Sequence, residues 1–210
     1  MTSGHVILLG DSIFDNAAYV AGGPDVVQQL RGELPGDWGA SLLAVDGAVT
    51  TDVQRQLARI PSDATHLVLS AGGNDALGQS GVLQRQVRSV SEAVSHLAEA
   101  QHNFRRRYAS LLDAVAGARL RTAVCTIYDA NFPAPEGTVI AAALSLFNDS
   151  ITREAFRRGL ALIDLRLICD QPDDYANPIE PSVRGGAKIA AAISAWASDE
   201  VHHSRSIVIA

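Results

Sequence analysis

Short apolar runs alternate along this chain with longer stretches in which apolar residues recur every third or fourth position. The runs at 5–9, 41–45, 66–70, 121–127 and 160–165 are too short for stable helices, and most are followed by Gly, Asp or Asn. They read as buried parallel strands. Between the third and fourth runs, Val82, Val87, Val90, Val94 and Leu97 keep a helical period that continues towards Leu111 and Val115, which predicts a crossover helix. Pro24 suits the opening turn of the first helix. Ser182 suits the cap of the last, which would run through Ile189, Ile193 and Trp196. Strands separated in this way by helical stretches predict an α/β class fold, a parallel sheet of about five strands in a three-layer α/β/α arrangement, because right-handed crossovers cover both faces. Residues 198–210 receive no assignment.

The length of 210 residues suits a single domain, with a core over about 5–197 and a short C-terminal tail. Seventeen Lys and Arg against 23 Asp and Glu give a net charge of −6, so no domain-wide basic surface exists to collect nucleic acid or acidic lipid. The run Arg105, Arg106 and Arg107 lies within the long helical stretch and reads as a solvated face. No apolar run approaches the roughly 18 residues that span a bilayer, and Met1 to Gly4 carry no basic leader, so the expectation is a cytoplasmic protein with a small-molecule partner, no nucleic acid and no membrane. Cys125 and Cys169 belong to no Cys-x-x-Cys or Cys/His set of zinc-ligand spacing and read as reduced thiols, Cys125 within a strand. No metal site is expected.

Ligands of open parallel sheets bind beyond the carboxyl ends of the strands. There the chain places Gly10, Asp11 and Ser12 after the first run, Asp46, Gly47 and Ala48 after the second, and Gly72, Gly73, Asn74 and Asp75 after the third. Tyr128, Asp129, Asn131 and Phe132 follow the fourth. Each segment alone is also an ordinary strand-ending turn, because Gly, Asp, Asn and Ser dominate turns. Together they meet the needs of acyl transfer. Ser12 stands where a nucleophile belongs, on a tight turn expected at a helix N-terminus. The amides of Ser12 and Gly47 and the side-chain amide of Asn74 supply the donors that a tetrahedral oxyanion requires. Asp15 and Asp75 are placed to accept from turn amides. Residues 128–137 read either as a Pro-rich loop or as a wall for an acyl group, and residues 19–24 as the edge of an entrance or the approach to a helix.

These blocks resemble those of the SGNH or GDSL hydrolases: Gly10-Asp11-Ser12 followed by Ile13-Phe14-Asp15-Asn16, then Gly47, then Gly72-Gly73-Asn74-Asp75. The resemblance spans about 5–197 and implies the flavodoxin-like fold of that family. It also implies hydrolysis of carboxylic, thio- or acyl-sugar esters through an acyl-enzyme, without a cofactor. The family's last block, Asp-x-x-His-Pro, supplies a general base and its orienter. Here that segment reads Asn177-Pro178-Ile179-Glu180-Pro181-Ser182, so Glu180 stands in place of His and Asn177 in place of Asp.

Three readings follow. Glu180 is itself the base, its pKa raised by desolvation near Ser12 and its need for an orienting Asp removed. A tail histidine, His202 or His203, reaches the site. Or the site binds acylated or glycosylated ligands without turnover, as a binding module on a hydrolase fold.

Overall fold

The computed structural model describes residues 4–198. Five strands, β1 (His5–Gly10), β2 (Gly39–Leu42), β3 (His66–Ser70), β4 (Arg121–Cys125) and β5 (Ala161–Ile163), form one parallel sheet in the order β2-β1-β3-β4-β5. Helices α1 (Val26–Glu33) and α6 (Val183–Ala197) cover one face. The other carries α2 (Thr50–Leu57), α4 (Val90–Ala116) and α5 (Glu136–Arg157), while the short α3 (Gly73–Leu77) follows β3 directly. The layering follows from the period-two geometry of a strand whose two faces are both dry. Val6 and Leu8 of β1 pack with Val26, Leu30, Ile189 and Ile193, whereas Ile7 and Leu9 pack with Val53, Phe104, Leu111 and Ile151. All four strand side chains are fully buried, which is why β1 reads as an unbroken apolar run.

Several boundaries differ from expectation. The second strand ends at Leu42 rather than at 45, because Leu43 and Ala44 both donate their N–H groups to the Leu8 carbonyl and the chain bends out of the ladder. The fourth strand ends at Cys125, not 127, and the fifth covers only Ala161–Ile163. Pro24 does not open α1. Asp25 caps it: its carboxylate accepts from Gln28 N (2.8 Å) while the Gln28 side chain accepts from Asp25 N (3.1 Å), which satisfies two amides together.

Helix α4 starts at Val90, capped by Ser89, and not at Val82, where residues 80–84 form a 3-10 turn. Its buried stripe is Ala100, Phe104, Tyr108, Leu111, Leu112 and Val115, while Val90 is 82% exposed, so the early valines extend the apolar period beyond the core they were expected to join. Ser182 caps α6 as predicted, its Oγ accepting from Gly185 N at 3.2 Å. An antiparallel hairpin of β6 (Tyr175–Asn177) and β7 (Glu180–Pro181), absent from the expected elements, precedes that helix.

Candidate active site

The site begins where β1 runs out. Gly10 has φ +131°, and a Cβ there would fall 1.7 Å from the Ser70 carbonyl oxygen of β3, so only glycine lets the chain turn so close to its neighbour. The buried amide of Gln56 accepts from Gly10 N and donates to Gly10 O, both at 2.8 Å, fixing the strand end from α2. Phe14 N and Asp15 N then donate to the Asp11 carbonyl, and Ser12 is held on the resulting turn. The turn is not a helix N-terminus, since the next helix begins only at Val26; the expected helix dipole at Ser12 is therefore absent, and stabilisation of an anion there falls to individual donors.

The hairpin brings Glu180 to this turn across 168 positions of sequence, and Ser12 Oγ donates to Glu180 Oε1 at 3.1 Å. Separate ties hold the hairpin. Tyr128 OH donates to the Ile179 carbonyl (2.7 Å), Asn131 N to the Pro178 carbonyl (2.8 Å), and the fully buried Asn16 amide to the Pro181 carbonyl (3.2 Å). Asn16 also accepts from Val26 N at 3.0 Å, so one side chain joins the Ser12 loop, the start of α1 and the strand carrying Glu180. Asn177, which stands at the family's Asp position, accepts from Ile179 N at 2.9 Å and closes the hairpin turn. In this geometry it shapes the loop on which the carboxylate rides.

Glu180 is 5% exposed, and its Oε2 is buried without a hydrogen-bond partner among the described residues. Burial pushes its carboxyl up to about 7, against the opposing effect of the Ser12 hydrogen bond and with a further push from the Asp46 charge. Asp11, also buried, is pushed up to about 7 by burial, although the Ile13 amide that it accepts from favours its ionised form. A cavity of about 50 Å³ opens on Ser12, walled by Asp11, Asn74, Ile127, Ile179 and Glu180.

Two of the three expected oxyanion donors border this cavity. Ser12 N has no partner among the described residues, and the Asn74 side-chain amide donates one hydrogen to the Ala48 carbonyl at 3.1 Å, leaving its second for a ligand. Gly47, with φ +77°, lines instead an adjoining depression of about 350 Å³ that also contains Asp46, Arg55 and Arg59. It borders the site through the neighbouring Ala48, to which Asn74 is tied.

Asp15 accepts from Asp46 N (2.9 Å), a turn amide as expected, whereas Asp75 accepts from Thr50 N and Thr50 Oγ1 (2.9 Å each), the first amide of α2 and its hydroxyl. Tyr19 OH donates to Asp46 at 2.8 Å beside the opening. The basic run is less solvated than expected. Arg105 pairs with Glu154 at 2.7 Å and Arg107 approaches Asp75 at 3.5 Å, leaving Arg106 as the exposed member, because α4 packs between α5 and α2 and turns its other two arginines towards acids of α5 and α3. Both cysteines are unbonded and buried.

Among the described residues no histidine lines the Ser12 cavity. His5 is bonded to Ser41 (2.8 Å), His66 packs between Trp38 and Trp196, and His96 meets Arg85. His202 and His203 lie outside the described residues. Also among the described residues, no three His, Cys, Asp or Glu side chains are grouped to hold a metal, and no helix is long and apolar enough to cross a membrane.

Residues 8–188 match the model of the GDSL-like lipase/acylhydrolase family. Among solved structures, the chain is similar to an extracellular lipase from Streptomyces rimosus, with TM-score 0.67, 19% identity and coverage of 91% of this chain and 99% of that one. It is also similar to a phospholipase A1 from Streptomyces albidoflavus (0.62, 19%, 92% and 99%) and to the psychrotrophic esterase EstA from Pseudoalteromonas (0.62, 18%, 93% and 99%). At such identities the likeness is one of fold. No protein with a curated description matches the chain.

Proposed function

The chain belongs to the GDSL-like lipase/acylhydrolase family, and we propose that it hydrolyses small esters with Ser12 as nucleophile and Glu180 as general base. Family membership supports ester hydrolysis. The observation that supports these roles is the buried hydrogen bond from Ser12 Oγ to Glu180 Oε1, placed where the cavity opens. In the proposed reaction Oγ attacks the ester carbonyl carbon as its proton passes to Glu180. The carbonyl π electrons move onto oxygen, and the Ser12 amide and the Asn74 side chain stabilise the oxyanion. Collapse breaks the bond to the alcohol, which takes the proton from Glu180. Water, deprotonated by the same carboxylate, then attacks the acyl carbon; collapse breaks its bond to Ser12 Oγ, which takes the proton back from Glu180 as the carboxylic acid leaves.

A carboxylate of ordinary pKa is a weak base for a serine hydroxyl, and it would restrict turnover to esters with good leaving groups. Burial removes much of that handicap, because a Glu180 carboxyl near 7 has basicity close to that of an unperturbed imidazole. The modest cavity, with Ile127 and Ile179 as its apolar walls, favours short acyl groups.

Hydrolysis of p-nitrophenyl acetate compared with its longer-chain homologues tests this reading. Turnover that prefers the acetyl ester and disappears in Ser12→Ala supports it. Undiminished turnover in the alanine variant removes Ser12 from the mechanism, and ester binding without product release would make the protein a binding module instead.

A further inference from the structure

The Ser12 cavity contains a second carboxyl that the proposed reaction does not use. Asp11 is 3% exposed, and its Oδ1 accepts from Ile13 N at 3.2 Å. Its Oδ2 takes no hydrogen bond from another residue among the described residues and lies on the Gly73 side, 3.8 Å from where a Cβ on Gly73 would stand. That places the oxygen against the start of α3, which presents Asn74, in the cavity that Ser12 and Asn74, the two suppliers of oxyanion donors, also line.

The sign of its charge therefore matters. An ionised Asp11 would repel the negative charge that develops on the substrate oxygen, whereas a neutral one would offer an O–H to it. Burial and the charges facing Asp11 favour neutrality and outweigh the amides of Ile13 and of Asp11 itself, which favour its ionised form. Glu180 from β7 and Asp75 from α3 are both acidic, and the remaining neighbours, the Cys125 thiol of β4 and the Tyr128 phenol beyond it, are held neutral by burial. Arg107 is engaged with Asp75. Two carboxyls in one dry cavity ionise together only at high cost, so a singly protonated pair is favoured around neutrality.

We infer that Asp11 works as a neutral acid in this site, its protonated carboxyl donating to the oxyanion while Glu180 carries the negative charge. The proton stays on Asp11 through the cycle. It adds a donor to the Ser12 amide and Asn74 and is not part of the transfer between Ser12, Glu180 and the alcohol. This inference rests on the ester-hydrolase reading above.

It requires a bell-shaped pH dependence. Activity needs Glu180 ionised and Asp11 protonated, so kcat/KM for p-nitrophenyl acetate rises as the pair loses its first proton and falls about tenfold per pH unit once the second leaves. Asp11→Asn retains a donor that cannot ionise, and its profile should stay level on the alkaline side. Asp11→Ala should lose about 10²–10³ in kcat with little change in KM. A wild-type profile that remains flat up to about pH 9, or an Asn variant with an unchanged alkaline decline, would overturn the inference. If the Asn variant does not fold, infrared difference spectra of wild-type protein phosphonylated on Ser12 decide: a protonated aspartyl carboxyl persisting above neutrality supports the inference, and its absence refutes it. A wild-type protein that hydrolyses no ester at all would instead sink the hydrolase reading itself.

Discussion

Glu154 and Glu180 are almost equally buried, at 4% and 5% exposed, yet they are opposite kinds of carboxylate. Glu154, on α5, accepts from Arg105 (2.7 Å), Arg158 (2.7 Å) and Arg157 (3.1 Å). Burial pushes its carboxyl up, but the bonds from Arg158 and Arg105 outweigh that and hold it below the ordinary range. Glu180 meets burial with a single serine hydroxyl, which offsets only part of the cost of its charge, and its carboxyl rises to about 7. Depth alone does not decide what a buried acid does; the partners do. A carboxylate locked among cations fastens α4 to α5, and one left under-satisfied beside a hydroxyl is ready to take a proton.

The largest effect should come from removing the basicity of Glu180 while keeping its shape. Glu180→Gln is expected to lower kcat/KM for an aryl ester by about 10²–10⁴, as loss of a general base typically does, while the corresponding Glu154→Gln leaves activity near wild type. Steady-state kinetics on the two variants would break the contrast if they fell together. Next in size is Asn74→Ala, expected to cost about 10²–10³ in kcat with KM little changed; a rise in KM alone would make Asn74 a ground-state binding residue.

In stability the order of the two acids reverses. Glu154→Ala should destabilise the fold by about 3 kcal/mol, near the lower end for a broken buried pair because the arginines reach solvent, and urea unfolding measures it. Glu180→Gln should stabilise. The Glu180 carboxyl ionises near 7 when folded and near its ordinary 4.5 when unfolded, so the folded state keeps a proton that the unfolded chain releases, and stability falls as pH rises between those values. Glutamine removes that loss. A gain of about 1–3 kcal/mol at pH 8, shrinking towards zero near pH 4, is the smallest of these effects, and a gain that did not vary with pH would contradict it.

The sheet was legible because its strands are dry on both faces, and a strand such as 5–10 then has no alternative but a continuous apolar run. The site was legible only where local chemistry marks it. Ser12 and Asn74 sit directly after strands, so their placement followed from the run that precedes them. Glu180 emerged from its departure at a family position, although the hairpin that aims it did not, since residues 175–181 have neither an alternating pattern nor a Gly-containing turn. Gln56 carries no signal in the sequence, and Asn16 stands there only as the end of the first family block, with no role. Each is a buried amide whose partners, Gly10 for one and Pro181 and Val26 for the other, lie distant in sequence or across a loop, and a satisfied polar residue leaves no periodicity. The α4 start departs from expectation for the converse reason. Val82 to Val94 keep the period of a buried helix without a core opposite them.

The burst of p-nitrophenol released when Ser12 is first acylated reports the base most directly, because it precedes deacylation and product release. Followed across pH in wild type and Glu180→Gln, the burst rate should rise through a limb near pH 7 in the wild type, well above the ordinary carboxylate range, and in the variant should be slower by about 10² or more and show no such limb. A variant that acylates at the wild-type rate, with its limb unmoved, would show that Glu180 is not the base.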